Sequence, residues 1–266
     1  MIHARIVYCV TRDLDAASVL ADMECLSAEE RTRAAQFAFD EDRRDFVVAH
    51  ALLRRMLTAF VPRDPAAWSF ITSPSGKPGL ANPDLEGGSI AFNLSHTRGL
   101  VACVVARGAD VGIDVERVPA GDDVLDVARA HFSRAEVRDL ERRAAAEQRE
   151  RFTELWTLKE AHAKSTGAGI VSGDDLPSFA FSASGLIEAS AAAEERAWTF
   201  ALFRVLDYRV AVAVRADGPT TISISPSEND AVHGEARLLR VSRGAVIASE
   251  ITPAGLIRVL ERPRPS

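Results

Sequence analysis

The sequence predicts an α+β chain of two pseudo-symmetric α/β halves followed by a C-terminal extension. An internal repeat is the first reason: Val101-Ala-Cys-Val-Val-Ala-Arg-Gly is echoed by Val210-Ala-Val-Ala-Val-Arg-Ala-Asp, 109 residues later. The same spacing carries Phe46 onto Leu155 and brings two long helical patterns into register. A helix followed by a strand hairpin therefore occurs twice, which predicts a cleft between the halves as the site. On this reading residues 1–109 form the N-terminal half, 110–216 the C-terminal half with the chemistry, and 217–266 an extension of unknown role.

Residues 2–10 alternate apolar and polar as a strand does. Ser27-Ala-Glu-Glu30 is a capping-box pattern and opens a helix carrying Arg31 and Arg33. The charge cluster Asp40-Glu-Asp-Arg-Arg-Asp45 leads into a long helix with Phe46, Ala49, Leu53, Met56 and Leu57 on one face, ended before Pro62. Arg43 and Arg44 fall at its start, where the helix dipole disfavours cations but where both can face an anion. From Ser73 to Gly88 come turn signals, with Lys77 between Gly76 and Pro78, then 82–84 and 87–88.

A strand over 89–97 ends in Ser95-His96, and the apolar run Leu100–Ala106 follows as a buried strand. In Val111-Gly-Ile-Asp-Val-Glu-Arg117, alternation places Asp114 and Glu116 on one face and Ile113 and Val115 on the other. Two carboxylates about 7 Å apart on one strand suit a hard divalent cation such as Mg²⁺; the bland reading is the wet face of a half-buried strand.

Helices are expected from Val124 to His131 and from the capping box Ser133-Arg-Ala-Glu136 to about Ala146. A third, over Phe152–Lys164, stops at Gly167 or Gly169 in a left-handed cap. At helical spacing Phe152, Trp156, Lys159, Glu160 and Ala163 share a broad face, and Glu160–Lys164 has the order of an i,i+4 ion pair. Strands follow at 179–181, 198–203, 209–214, 220–226 and 245–249, with a short helix at 253–260 and a tail at 262–266.

Composition bounds the function. A net charge of −6 argues against a general nucleic-acid binder, so an anionic ligand needs locally clustered cations. No apolar run reaches the roughly 20 residues of a membrane span, and the first residues lack a signal-peptide layout. Cys9, Cys25 and Cys103 are an odd, widely spaced set without a CxxC, as expected of reduced thiols in a cytoplasmic protein.

The ordered series Gly76-Lys-Pro78, Phe92-Asn-Leu-Ser-His96, Gly112-Ile-Asp-Val-Glu116 and Trp156-Thr-Leu-Lys-Glu-Ala161 with Lys164 resembles the 4'-phosphopantetheinyl transferase superfamily. Within it, the chain resembles the long Sfp-type branch of two pseudo-symmetric halves, over roughly residues 1–216. Phe132-Ser-Arg-Ala-Glu136 matches a further family motif. The resemblance implies Mg²⁺-dependent transfer of the phosphopantetheine arm of coenzyme A to a serine of an apo acyl, peptidyl or aryl carrier protein, releasing 3',5'-ADP. It implies that Asp114, Glu116 and Glu160 hold the metal on the pyrophosphate, and that Lys77, Ser95 and His96 contact the coenzyme's phosphates. Lys164 would bind pyrophosphate, and Arg33, Arg43 and Arg44 would approach the nucleotide end. The family's usual basic residues are replaced here by Asp45 and His50, which leaves open what grips the 3'-phosphate.

Chemistry agrees with those roles, since a diphosphate and its metal need oxygen ligands and point cations. A serine nucleophile needs a base; Glu160 is the first choice and Glu116 the alternative. The resemblance implies carriers of peptide or polyketide synthases, and sometimes of fatty-acid synthesis. Because carriers are acidic, a local basic or apolar docking patch is expected. With both halves in one chain, a monomer is the default. Two other readings compete: a non-catalytic binder of coenzyme A or carrier, and a Mg²⁺-dependent nucleotide pyrophosphate hydrolase.

Overall fold

The computed structural model describes residues 1–81, 89–120, 124–167, 176–182, 186–190, 198–227, 236–242, 246–251 and 257–259. Its core is two facing sheets, each covered on its outer face by one long helix. The first sheet is built on β1 (Ile2–Val10), flanked on one side by β5 (Leu100–Arg107) and β4 (Ile90–Thr97). On its other side lie β11 (Thr220–Pro226), β13 (Val246–Ile251) and β14 (Ile257–Val259). In the second, β6 (Asp110–Arg117) pairs with β10 (Tyr208–Arg215) and then β9 (Trp198–Val205). That sheet continues through β12 (Arg237–Ser242), β8 (Leu186–Ser190) and β7 (Ser178–Phe181).

Period-two alternation sorts the side chains into these layers. Ala4, Ile6, Tyr8 and Val10 of β1 meet Val111, Ile113 and Val115 of β6 and Val210, Val212 and Val214 of β10 between the sheets. The opposite faces, Val7, Cys9, Val101 and Cys103, pack under α3 (Asp40–Phe60) through Leu52, Leu53 and Met56. Ala211 and Ala213 pack likewise under α6 (Ala145–Thr166) through Leu158 and Ala161. Burial on both faces is why Leu100–Ala106 is apolar throughout.

The same architecture therefore occurs twice, with β1, α3, β4 and β5 mirrored by β6, α6, β9 and β10. Smaller elements complete each half. The first has α1 (Ala16–Glu24), α2 (Ala28–Ala34) and the hairpin β2 (Phe70–Thr72) and β3 (Pro78–Leu80); the second has α4 (Val124–His131) and α5 (Arg134–Glu141). Both capping boxes form: Ser27 with Glu30 opens α2, and Ser133 with Glu136 opens α5.

Three expectations change. Helix α3 begins at Asp40, so Asp40, Glu41 and Asp42 occupy its first turn and favour the dipole, with Arg43 and Arg44 one turn in. The helix expected to run to Ala146 stops at Glu141, and α6 starts afresh at Ala145. The helix expected at 253–260 is overturned where described, because Ile257–Val259 pairs antiparallel with β13. The strands expected at 220–226 and 245–249 form where described and join the first sheet, β11 running parallel to β1 and β13 parallel to β11, while β12 pairs antiparallel with β9 in the second. Gly167 caps α6 at φ 74°, the left-handed cap expected. The signals at 82–84, 87–88, 169 and 262–266 lie outside the described residues. No described helix is long and apolar enough to cross a membrane, and Cys9, Cys25 and Cys103 form no disulfide.

Candidate active site

The sheets meet edge to edge at β4 and β6, and the site is built on that seam. Side-chain oxygens of β4 replace a backbone ladder there: Ile113 N donates to Asn93 Oδ1 at 2.9 Å, and Val115 N donates to Ser95 Oγ at 3.2 Å. The alternation that sends Ile113 and Val115 into the core turns Asp114 and Glu116 towards α6. Gly112 lets the helix come down on the strand, because a Cβ there would lie 2.1 Å from Ala161 O and 2.5 Å from Ser165 N.

Lys164 closes the arrangement. Its Nζ donates to Asp114 Oδ1 at 2.6 Å and to Ser95 Oγ at 2.9 Å, while Ser95 Oγ donates to Asp114 Oδ1 at 3.0 Å. Lys164 thus pairs with Asp114 of β6 and reaches across the seam to Ser95, and does not pair with Glu160 one turn before it, contrary to the helical-spacing expectation. Asp114 is only 3% exposed, and its Oδ2 is buried without a hydrogen-bond partner.

Burial raises the pKa of Asp114, opposed by Lys164 and by the hydrogen bonds from Ser95 and Val115. Burial also lifts Glu116 to about 7; Asp114 and Glu160 add repulsion, while Lys164 and a hydrogen bond with Trp156 oppose it. For Glu160, burial raises the pKa, Asp114 adds repulsion and Lys164 counters. Three carboxylates are thus gathered around a single ammonium, an arrangement with unmet demand for positive charge. Among the described residues, however, no three His, Cys, Asp or Glu side chains are drawn close enough to grip a metal ion unaided.

A cleft of about 990 Å³ runs from Lys164 and His96 to Arg33, His50 and Arg54, with Trp68, Phe70 and Phe92 in its walls. Its cations supply locally what the net charge of −6 lacks. His96 stands at the mouth; desolvation by the surrounding protein lowers its pKa, Asp45 opposes this, and Lys164 and His50 add to the lowering. Arg33 stacks over Phe46 at 5.3 Å.

Other expected residues are placed elsewhere. Arg43 pairs with Asp40 at 2.5 Å and is exposed, and neither it nor Arg44 lines the cleft. Lys77 donates to Ser165 O at the C-terminal end of α6, 2.5 Å away, and borders a separate, smaller groove. Asp45 is structural, accepting hydrogen bonds from Thr11 Oγ1 and from Gly99 N. Lys159, grouped by spacing with Glu160, turns to the other side and pairs with buried Glu136 at 3.0 Å.

Sequence reading missed Asn93, Arg54 and Glu30, whose carboxylate, besides capping α2, accepts from Arg54 Nε at 2.8 Å and meets His50 Nδ1 at 2.8 Å. Arg54 stood in the pair Arg54-Arg55 within an otherwise apolar stretch of helix, and Asn93 within the Phe92–His96 motif, but neither pattern names a partner.

Comparisons with known proteins point to one family. Residues 110–213 match the family model described as the 4'-phosphopantetheinyl transferase superfamily, and residues 15–108 match that of the 4'-phosphopantetheinyl transferase N-terminal region. The chain is 35% identical over 152 residues to the 4'-phosphopantetheinyl transferase HetI of Nostoc sp., covering 57% of this chain and 63% of that protein. It is 32% identical over 160 residues to a 4'-phosphopantetheinyl transferase of Bacillus subtilis, covering 60% of this chain and 68% of the relative. With the 4'-phosphopantetheinyl transferase Sfp of Bacillus subtilis it shares 31% identity over 148 residues, or 56% of this chain and 63% of Sfp.

Proposed function

The chain belongs to the 4'-phosphopantetheinyl transferase superfamily, and from that premise we propose that it moves the 4'-phosphopantetheine arm of coenzyme A onto a serine of an apo carrier protein. The observation that carries this reading is the Asp114–Lys164 pair, beside Glu116 and Glu160, at one end of a cation-lined cleft. A cleft of about 990 Å³ has the size of a nucleotide site.

In this reading the serine Oγ attacks the β-phosphorus of the coenzyme. The P–O bond to the α-phosphate breaks, 3',5'-ADP leaves, and the serine proton passes to a carboxylate. Glu160 takes it: Asp114 is engaged by Lys164 and Ser95 and Glu116 by Trp156, whereas no described residue donates a hydrogen bond to Glu160. Glu116 is the second reading, because a pKa of about 7 suits a base near neutrality. Lys164 exchanges Asp114 for the pyrophosphate when substrate enters, and His96 and Arg33 reach the coenzyme's remaining phosphate, the 3'-phosphate.

Mg²⁺ fits the residues present. The orphaned Asp114 Oδ2 and the mutual repulsion among Asp114, Glu116 and Glu160 mark where a hard cation would be held. When bound, it would neutralise charge on the pyrophosphate. Lys77, Arg43 and Arg44 remain candidates only for parts of the coenzyme outside the main cleft. A carrier partner, a cytoplasmic location and a monomeric state complete the proposal.

The test is carrier-dependent release of 3',5'-ADP from coenzyme A with Mg²⁺. Release only with an apo carrier supports transfer. Release without carrier would indicate a hydrolase, and coenzyme binding without release across several carriers would indicate a binder.

A further inference from the structure

The two halves contain the same four-part device, and only one copy faces the cleft. In the C-terminal half, Glu136 Oε2 accepts from Ser133 N at 2.8 Å and pairs with Lys159 Nζ at 3.0 Å. Lys159 Nζ also donates to Pro177 O at 2.8 Å and lies 5.8 Å from the Phe179 ring. In the N-terminal half, Glu30 Oε2 accepts from Ser27 N at 2.9 Å and pairs with Arg54 Nε at 2.8 Å. Arg54 donates to Pro65 O at 2.7 Å and stands 5.1 Å over the Phe70 ring. Capping glutamate, long-helix cation and proline carbonyl thus recur, with a phenylalanine ring near each cation; Phe132 lies closer to Lys159, at 5.3 Å, and Arg54 donates in addition to Trp68 O at 3.0 Å.

The copies differ at the glutamate's other oxygen. Glu136 Oε1 accepts a backbone donor, Phe179 N, at 2.8 Å, which seals the set inside the protein. Glu30 Oε1 meets a side chain, His50 Nδ1, at 2.8 Å, and His50, Arg54 and Phe70 line the cleft. The N-terminal copy ties three of the cleft's walls together: α2 with Arg33, α3 with His50, and the 65–70 segment with Trp68 and Phe70.

We propose that Glu30 and Arg54 are positioning residues for coenzyme binding, acting by holding these three walls in register and not as ligands. Their counterparts Glu136 and Lys159 position α6, and so act on Glu160 and Lys164. The proposal rests on the coenzyme A reading above.

Electrostatics and positioning predict opposite signs for Glu30→Gln. Removing a negative charge beside a polyanion's cleft would tighten binding if charge alone mattered; loss of the clamp loosens it. The test measures KM, kcat and the dissociation constant of coenzyme A for the wild type, Glu30→Gln and Arg54→Lys. For Glu30→Gln, KM and the dissociation constant are expected to rise about tenfold with kcat within about twofold, a split that a merely structural loss of folded protein does not produce. Arg54→Lys keeps the charge but cannot reproduce the guanidinium's bonds to Glu30, Pro65 O and Trp68 O together, so KM is expected to rise as it does in Glu30→Gln. An unchanged or lower KM in Glu30→Gln would overturn the proposal. So would a Glu30→Gln protein that cannot fold, because the set would then carry the fold and not the cleft. A wild-type KM in Arg54→Lys would also overturn it, because the guanidinium's separate bonds would then not be what holds the walls. A wild type that neither binds nor consumes coenzyme A would instead refute the underlying functional reading.

Discussion

Lys164 Nζ lies 2.6 Å from Asp114 Oδ1, while Asp114 Oδ2, also buried, has no hydrogen-bond partner. Half of the carboxylate is neutralised by the protein and half is left for something else. Asp114→Asn is therefore expected to lower turnover about a hundredfold or more, the range for losing a metal ligand. Under the proposal Mg²⁺ is expected to raise the Tm of the wild type, and Asp114→Asn to abolish that rise. Calorimetry with and without Mg²⁺ checks the second effect independently of turnover; an equal Mg²⁺ response in both proteins would remove Asp114 from the metal site.

Glu160 stands in the same cluster without a hydrogen-bond donor of its own among the described residues. Glu160→Gln should leave the fold intact, as read by circular dichroism, and slow turnover roughly 100-fold or more. Near-wild-type rates would take Glu160 out of the mechanism and leave Glu116 as the base.

The pH dependence of stability has a definite sign. Glu116 is raised from its ordinary 4.5 to about 7, so between those values the folded protein holds a proton that the unfolded chain has released. Metal-free stability contributed by this group is present below about 4.5, declines as pH rises, and is gone above about 7. Glu116→Gln should flatten the decline in Tm between pH 5 and 7.5 relative to wild type, under chelation. Identical slopes in the two proteins would contradict this electrostatic account. Mg²⁺ should recover the wild type's loss at the upper end, because a cation among the carboxylates favours their charged forms.

Gly112 tests the packing that puts α6 on the seam. A Cβ at 2.1 Å from Ala161 O must displace helix backbone, since no flexible side-chain tip can yield instead. Gly112→Ala is expected to cost about 2–3 kcal/mol in denaturant unfolding and to lower turnover in the protein that remains folded. Wild-type stability and activity together would mean that α6 does not need its close seat on β6.

How much of this was legible in the sequence follows from the range of each interaction. Asp114 and Glu116 could be read from alternation alone, because period two fixes their face whatever packs above. The repeat from Val101 to Val210 likewise exposed two similar halves before any pairing was known. Spacing on α6 could not say that Lys159 turns to Glu136 while Lys164 crosses to Asp114, since both partners come from other elements. For the same reason spacing could not show that Lys77 reaches the end of α6, where it donates to Ser165 O. Ile257–Val259 was misread as helix because its strand exists only through pairing with β13. Glu30 was seen as a cap, but its bond to Arg54 depends on how α2 lies against α3.

The central claim is that this cleft and its carboxylates transfer a phosphopantetheine arm. Mass spectrometry of an apo carrier protein after incubation with the protein, coenzyme A and Mg²⁺ tests it most directly. The account predicts a carrier heavier by one phosphopantetheine arm with the wild type and little or no gain with Glu160→Gln. An unmodified mass across several apo carriers with the wild type would contradict it.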